Sequence, residues 1–139
     1  SFVGTSGHLY ELRIADSAVG RGLKVIGIGE KFNDGLKRAP TDIDLVLKQG
    51  KTVLAVEAKN YSPSTLMPLD RYRADLDSLV AYRKAKGKHV VAVFSVSNRP
   101  HDLNYLKMLR READERKVEL IFGNAEESVA QIKALGDIL

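Results

Sequence analysis

Between Thr41 and Lys59 the chain sets ionisable side chains at alternating positions: Asp42 and Asp44 on one run, Glu57 and Lys59 on the next. The residues between them are mostly aliphatic or β-branched and break at Gln49-Gly50-Lys51, so the segment reads as a β-hairpin with residues 42–48 antiparallel to residues 52–59. A two-residue turn at Gly50-Lys51, or a four-residue loop from Gln49 to Thr52, places Asp44 opposite Glu57 and Asp42 opposite Lys59. Opposed side chains share a face, about 5 Å apart at Cβ. The other face pairs Ile43 with Ala58, Leu45 with Val56 and Leu47 with Leu54, and its apolar character fixes the register.

Carboxylates held that close beside Val46, Val53 and Ala55 repel unless a cation lies between them. Mg2+ or Mn2+ is the natural partner. Mg2+ takes one or two carboxylates, keeps several waters and bridges to phosphate oxygens. A metal so held activates a water and stabilises a departing oxygen. Lys59 lies two residues beyond Glu57 on the same strand face. It is placed to orient that water or to neutralise charge on a phosphorane-like transition state. Asp42 is a second candidate on the same face.

Asp44 followed by Glu57-Ala58-Lys59 at the end of the next strand resembles the PD-(D/E)XK nuclease superfamily, which includes restriction endonucleases, junction resolvases, repair nucleases and toxin nuclease domains. The proline is displaced to Pro40, so the literal Pro-Asp dipeptide is missing. The resemblance implies that Asp44, Glu57 and the main-chain carbonyl of Ala58 hold Mg2+ or Mn2+ and that Lys59 assists the water. It also implies that a glutamate of the first helix completes the acidic cluster. Gly7-His8-Leu9-Tyr10-Glu11 looks like that segment and nominates Glu11, with a surface position at the edge of the helix as the alternative. His8, one turn earlier, either touches phosphate or is an ordinary exposed histidine.

The elements that must position these groups follow in order. A helix is expected from an N-cap at Thr5 or Ser6, with Leu9, Leu12, Ala15, Ala18 and Val19 as its stripe, ending at Gly20 and Gly22. Residues 23–28 read as a short strand. Residues 30–40 form a polar loop entering the site, in which Lys37 and Arg38 are a candidate phosphate clamp or part of a plain connector. Tyr61, just past the hairpin, either stacks on a base or packs against the next helix. That helix is expected over residues 69–86 and is followed by a central apolar strand over residues 89–96. A helix over residues 101–116, with Leu103, Leu106, Met108 and Leu109 inward, a strand over residues 119–122 and a helix over residues 125–135 complete the chain. The expected fold is α/β, a restriction-endonuclease-like αβββαβ core over residues 5–97. Its central mixed sheet is flanked by helices, with a C-terminal β-α extension.

Composition is consistent with one domain over residues 1–139. Hydrophobic residues make up 44% and charged residues 29%, with no apolar run near the ~20 residues of a membrane span. The absence of cysteine excludes disulfides and thiolate zinc sites. Ser1 in place of an initiator Met suits a domain cut from a longer protein. A net charge of +4 and a pI near 9.3 suit a polyanionic partner. Basic clusters occur at Lys37-Arg38, at Arg83-Lys84 with Lys86 and Lys88, and at Arg110-Arg111.

The expectation is a divalent-metal-dependent endonuclease hydrolysing phosphodiester bonds in nucleic acid in the cytoplasm, with DNA placed slightly ahead of RNA and a homodimer if it processes DNA. The alternative is a toxin domain, secreted or delivered, that cuts tRNA and is neutralised by an immunity protein. A catalytically silent nucleic-acid-binding module is the contrasting class.

Overall fold

A computed structural model describes the backbone of residues 2–32 and 41–138 and the side chains of residues 7–29 and 43–138. The chain runs α1 (Phe2–Gly20), β1 (Lys24–Phe32), β2 (Thr41–Gln49), β3 (Thr52–Lys59), α2 (Leu69–Lys86), β4 (Val90–Val96), α3 (Leu103–Glu115), β5 (Glu119–Phe122) and α4 (Ala125–Ile138). The sheet order is β1-β2-β3-β4-β5, antiparallel across the first three strands and parallel from β3 to β5. This is a mixed five-stranded sheet flanked by helices, consistent with a restriction-endonuclease-like core and a C-terminal extension.

Strand alternation sends β3 side chains to opposite cores. Val53 and Ala55, with Val46, Ala92, Phe94 and Val96, pack under Tyr72, Leu76, Leu79 and Tyr82 of α2 and Leu109 and Ala113 of α3. Leu54, Val56 and Ala58, with Leu45, Leu47 and Val93, pack under Tyr10, Ile14 and Ala18 of α1 and Val129 and Ile132 of α4. β4 is buried along nearly its whole length, as a parallel strand covered on both faces must be. Tyr72 meets Phe94 edge to face at 5.0 Å and donates its hydroxyl to the Leu109 carbonyl, joining α2, β4 and α3.

The hairpin register is the expected one, from Gln49 opposite Thr52 to Leu45 opposite Val56. Gly50 turns it with a positive φ of 59° that L-residues resist. Ile43 departs from the expected face: it joins the α2-side core rather than pairing inward with Leu45. The ladder gives way to side-chain bonds at Asp44, and the strand re-aims there.

Four other expectations are corrected. Helix α1 begins at Phe2, upstream of Thr5 and Ser6. Its buried stripe is Tyr10, Ile14, Ala15 and Ala18, whereas Leu9, Leu12 and Val19 are exposed. Strand β1 extends to Phe32, with a bulge between Val25 and Gly27. In α3, Leu103 is exposed and the apolar face is carried by Leu106 and Leu109.

Candidate active site

Strands β2 and β3 stay together at the turn and exchange side-chain bonds at their open end. The Ala58 N–H donates to Asp44 Oδ2 at 3.0 Å, and the Asp44 N–H donates to Glu57 Oε1 at 3.3 Å. Each carboxylate thus accepts from the other strand's main chain. Both are fixed by the backbone itself, which is what precise placement of a reacting group requires.

Glu57 is buried, with 4% of its surface exposed. Burial, then the Asp44 carboxylate, pushes its carboxyl well above the usual range, and Lys59 opposes the shift. Lys59 reaches Glu57 Oε2 at 4.0 Å and Asp75 Oδ2 of α2 at 3.5 Å. Desolvation alone would lower the lysine's pKa, but Asp75, Glu57 and Asp44 together raise it, so the ammonium stays charged. Asp75 is itself raised by burial against the pull of Lys59.

Glu11 approaches from α1. Its carboxyl is raised by burial and then by Asp44, and His8 and Lys59 draw it down. His8 Nδ1 sits 3.5 Å from Glu11 Oε2, with the imidazole mostly exposed. A cavity of about 390 Å3 opens here, lined by His8, Glu11, Ala58, Lys59, Tyr61 and Arg71 among others. It lies at the carboxyl end of β3, between α1 and the first turn of α2.

The structure therefore brings Glu11, Asp44, Glu57, Ala58 and Lys59 together, with His8 at the rim. Tyr61 does two things: it packs against the α2-side core and lines the cavity. Its main chain is held by Ser97 and Asn98, through Tyr61 N–H to Ser97 Oγ at 3.0 Å and Asn98 Nδ2 to the Tyr61 carbonyl at 2.9 Å. Lys37 and Arg38 lie outside the described residues, as does the side chain of Asp42, whose backbone pairs with Lys31 in the sheet.

The sequence alone did not single out Asp75 or Arg71. Asp75 carried a signal, since it follows Tyr72 by three residues and adjoins Leu76, which puts a carboxylate beside the buried stripe of α2.

Among the described residues, no three His, Asp or Glu side chains converge closely enough to cage a metal ion. Two carboxylates and the Ala58 carbonyl are nevertheless a suitable donor set for a hard cation that keeps part of its water shell. Burial first and the Asp44 carboxylate second oppose ionisation of Glu57, and a divalent ion held between the two carboxylates would counter both.

Fold and site together define an α/β protein with a restriction-endonuclease-like core and a carboxylate–lysine cluster at the open end of its central hairpin. The sequence matches no family model and no curated protein. In structure the chain is similar to a protein of unknown function, AF1548, with a TM-score of 0.60 and 11% identity over 91% of this chain and 67% of that one. It is also similar to an XisH family protein from Nostoc punctiforme PCC 73102, with a TM-score of 0.55 and 12% identity over 86% of this chain and 93% of that one. A third similarity, to SfsA from Pyrococcus furiosus in complex with Ca2+, has a TM-score of 0.49 and 17% identity over 85% of this chain and 57% of that one. At such identities the likeness is one of fold.

Proposed function

We propose that this chain is a divalent-metal-dependent endonuclease that hydrolyses phosphodiester bonds in nucleic acid, as the resemblance to the PD-(D/E)XK superfamily implies. One observation carries the reading: Asp44 and Glu57 are locked to each other's strand by main-chain bonds while Lys59 stands charged beside them. An ordinary surface ion pair contributes about 0–1 kcal/mol and needs no such burial.

Asp44, Glu57 and the Ala58 carbonyl would hold Mg2+ or Mn2+. A bound ion would supply Lewis-acid polarisation of the phosphate and activation of a water. Lys59, kept protonated by Asp75, does not take the water's proton; it orients the water and balances charge that develops on the phosphoryl oxygens. Glu11 adds negative charge on the α1 side of the cavity, within reach of His8. Arg71 and Tyr61 line the remaining wall, where a phosphate and a base would lie.

The test is a cleavage panel of supercoiled plasmid, a four-way junction, single-stranded DNA and total tRNA, with Mg2+ or Mn2+, for the wild type and Lys59→Ala. Metal-dependent cutting that Lys59→Ala abolishes in a folded protein supports the reading. Cutting of DNA alone assigns a DNA-processing enzyme, and cutting of tRNA alone assigns the toxin-like alternative. A folded wild type that cuts nothing in the panel moves the weight to a binding module.

A further inference from the structure

The acidic cluster occupies one end of the sheet, and the other end is its electrostatic opposite. Lys24 of β1 lies directly across from Lys48 of β2 in the register, both exposed. Opposed side chains on antiparallel strands share a face, and like charges there destabilise the pair. Lys48 is in turn paired with Val53, and Val53 with Val90, which places Lys88 and His89 beside them at the entry to β4. The His89 carbonyl accepts the Val53 N–H at 2.9 Å and fixes that juxtaposition.

Lys51 sits in the hairpin turn, and with Thr52, Lys88, His89 and Val91 it lines a shallow cavity of about 280 Å3. Lys86, at the end of α2, lies 5.7 Å from the centre of the Tyr82 ring. Among the described residues, Lys24, Lys48, Lys51 and Lys88 make no ion pair. The nearby carboxylate of Asp137 is hydrogen-bonded to Gln49. A chain gains nothing in stability from opposed lysines, and the arrangement suits a polyanion that meets them together.

We infer that this pole is a docking surface for the phosphate backbone of nucleic acid, holding a stretch of substrate beyond the catalytic cavity. The choice of nucleic acid as the polyanion rests on the proposed nuclease activity. At ~3.3 Å per residue, the length of β3 separates the two poles by roughly 23 Å. A short oligonucleotide at the cavity does not reach the lysines; a long one does. The contact is to phosphates and carries no sequence preference.

Binding is read by fluorescence anisotropy in EDTA, so that cleavage plays no part, using a labelled duplex of about 30 base pairs and labelled tRNA over a salt series. The triple variant Lys48→Gln, Lys51→Gln, Lys88→Gln is expected to bind at least one of them about 10-fold more weakly at about 0.1 M salt. Its salt slope should flatten by roughly 2 to 3, near 0.9 for each phosphate no longer neutralised. The matching triple lysine-to-arginine variant keeps affinity and slope. Lys24→Glu is expected to raise Tm by about 2 °C, through the opposite-charge pair it makes with Lys48, and to weaken binding.

Unchanged affinity and slope in the glutamine variant on both probes would overturn the inference. So would equal losses in the arginine variant, or a preference for phosphatidylserine vesicles over both nucleic acids. A wild type that binds through these lysines but cuts nothing keeps the docking surface and loses the nuclease. One that cuts without them does the reverse.

Discussion

At Glu57 the proposed role and stability pull in opposite directions. Its carboxyl is raised in the folded chain, so ionisation at neutral pH works against folding when no metal is present. Glu57→Gln is therefore expected to raise the thermal midpoint in EDTA and to abolish cleavage; a lower midpoint in EDTA would contradict the assignment. On the proposed reading Asp75 positions Lys59, whose ammonium it meets at 3.5 Å. Asp75→Asn removes the largest influence raising the lysine's pKa, so an NMR titration of the Lys59 side chain should show that pKa falling. Cleavage should drop by about 10- to 100-fold, mainly in kcat, the usual loss when an outer-shell partner is removed. The spacing of Asp44, Glu57 and Lys59 was legible in sequence because strand alternation and an apolar opposite face allow a single register. Asp75 was not, because its partner is on another element and helical periodicity does not tell which cation it meets.

At the scale of elements, the misreading of α1 has a physical cause. A stripe counted from aliphatic residues selects Leu9 and Leu12, but the buried position is Tyr10, whose hydroxyl donates to the Gly123 carbonyl and bonds Ser95 Oγ, both at 2.9 Å. Ser95 bonds Ser128 in turn, so α1, β4 and α4 share one buried polar chain. A hydroxyl that finds partners only in the folded state leaves no trace in hydropathy. Because Glu11 is the next residue, this anchor also sets the acidic wall of the cavity. Tyr10→Phe is expected to cost about 1–3 kcal/mol in urea unfolding by leaving buried acceptors and donors unpaired. It should also weaken cleavage, an effect absent if Glu11 takes no part. In contrast, α2, the hairpin and β5 were readable to within a residue or two, since glycine, proline and turn signals bracket them.

Across the whole molecule, two buried glutamates give stability opposite slopes with pH. Glu112 of α3 accepts Arg73 of α2 at 2.7 Å and Arg116 at 2.8 Å, and Arg116 also holds Asp77 of α2 at 2.8 Å, so one carboxylate ties the two helices of that face. The arginine hydrogen bonds lower its carboxyl to about 2 from the ordinary 4.5. The unfolded chain binds the extra proton between those values, so the contribution of Glu112 is complete above about pH 4.5 and is lost as pH falls toward 2. Glu57 runs the other way, because its raised folded pKa makes stability decline as pH rises above 4.5. With Glu11 and Asp75, whose carboxyls burial also raises, Glu57 makes metal-free stability decline as pH rises above the ordinary carboxylate range. Urea midpoints from pH 2 to pH 8 should show Glu112→Gln with a weaker rise on the acid limb and Glu57→Gln with a weaker decline above it, the remaining decline coming from Glu11 and Asp75. Mg2+ should oppose the decline in the wild type by binding the ionised carboxylates, and should do so less in Glu57→Gln. A wild type whose neutral-side decline is the same with and without Mg2+ would remove the metal from the account of this site while leaving the α2–α3 clamp intact.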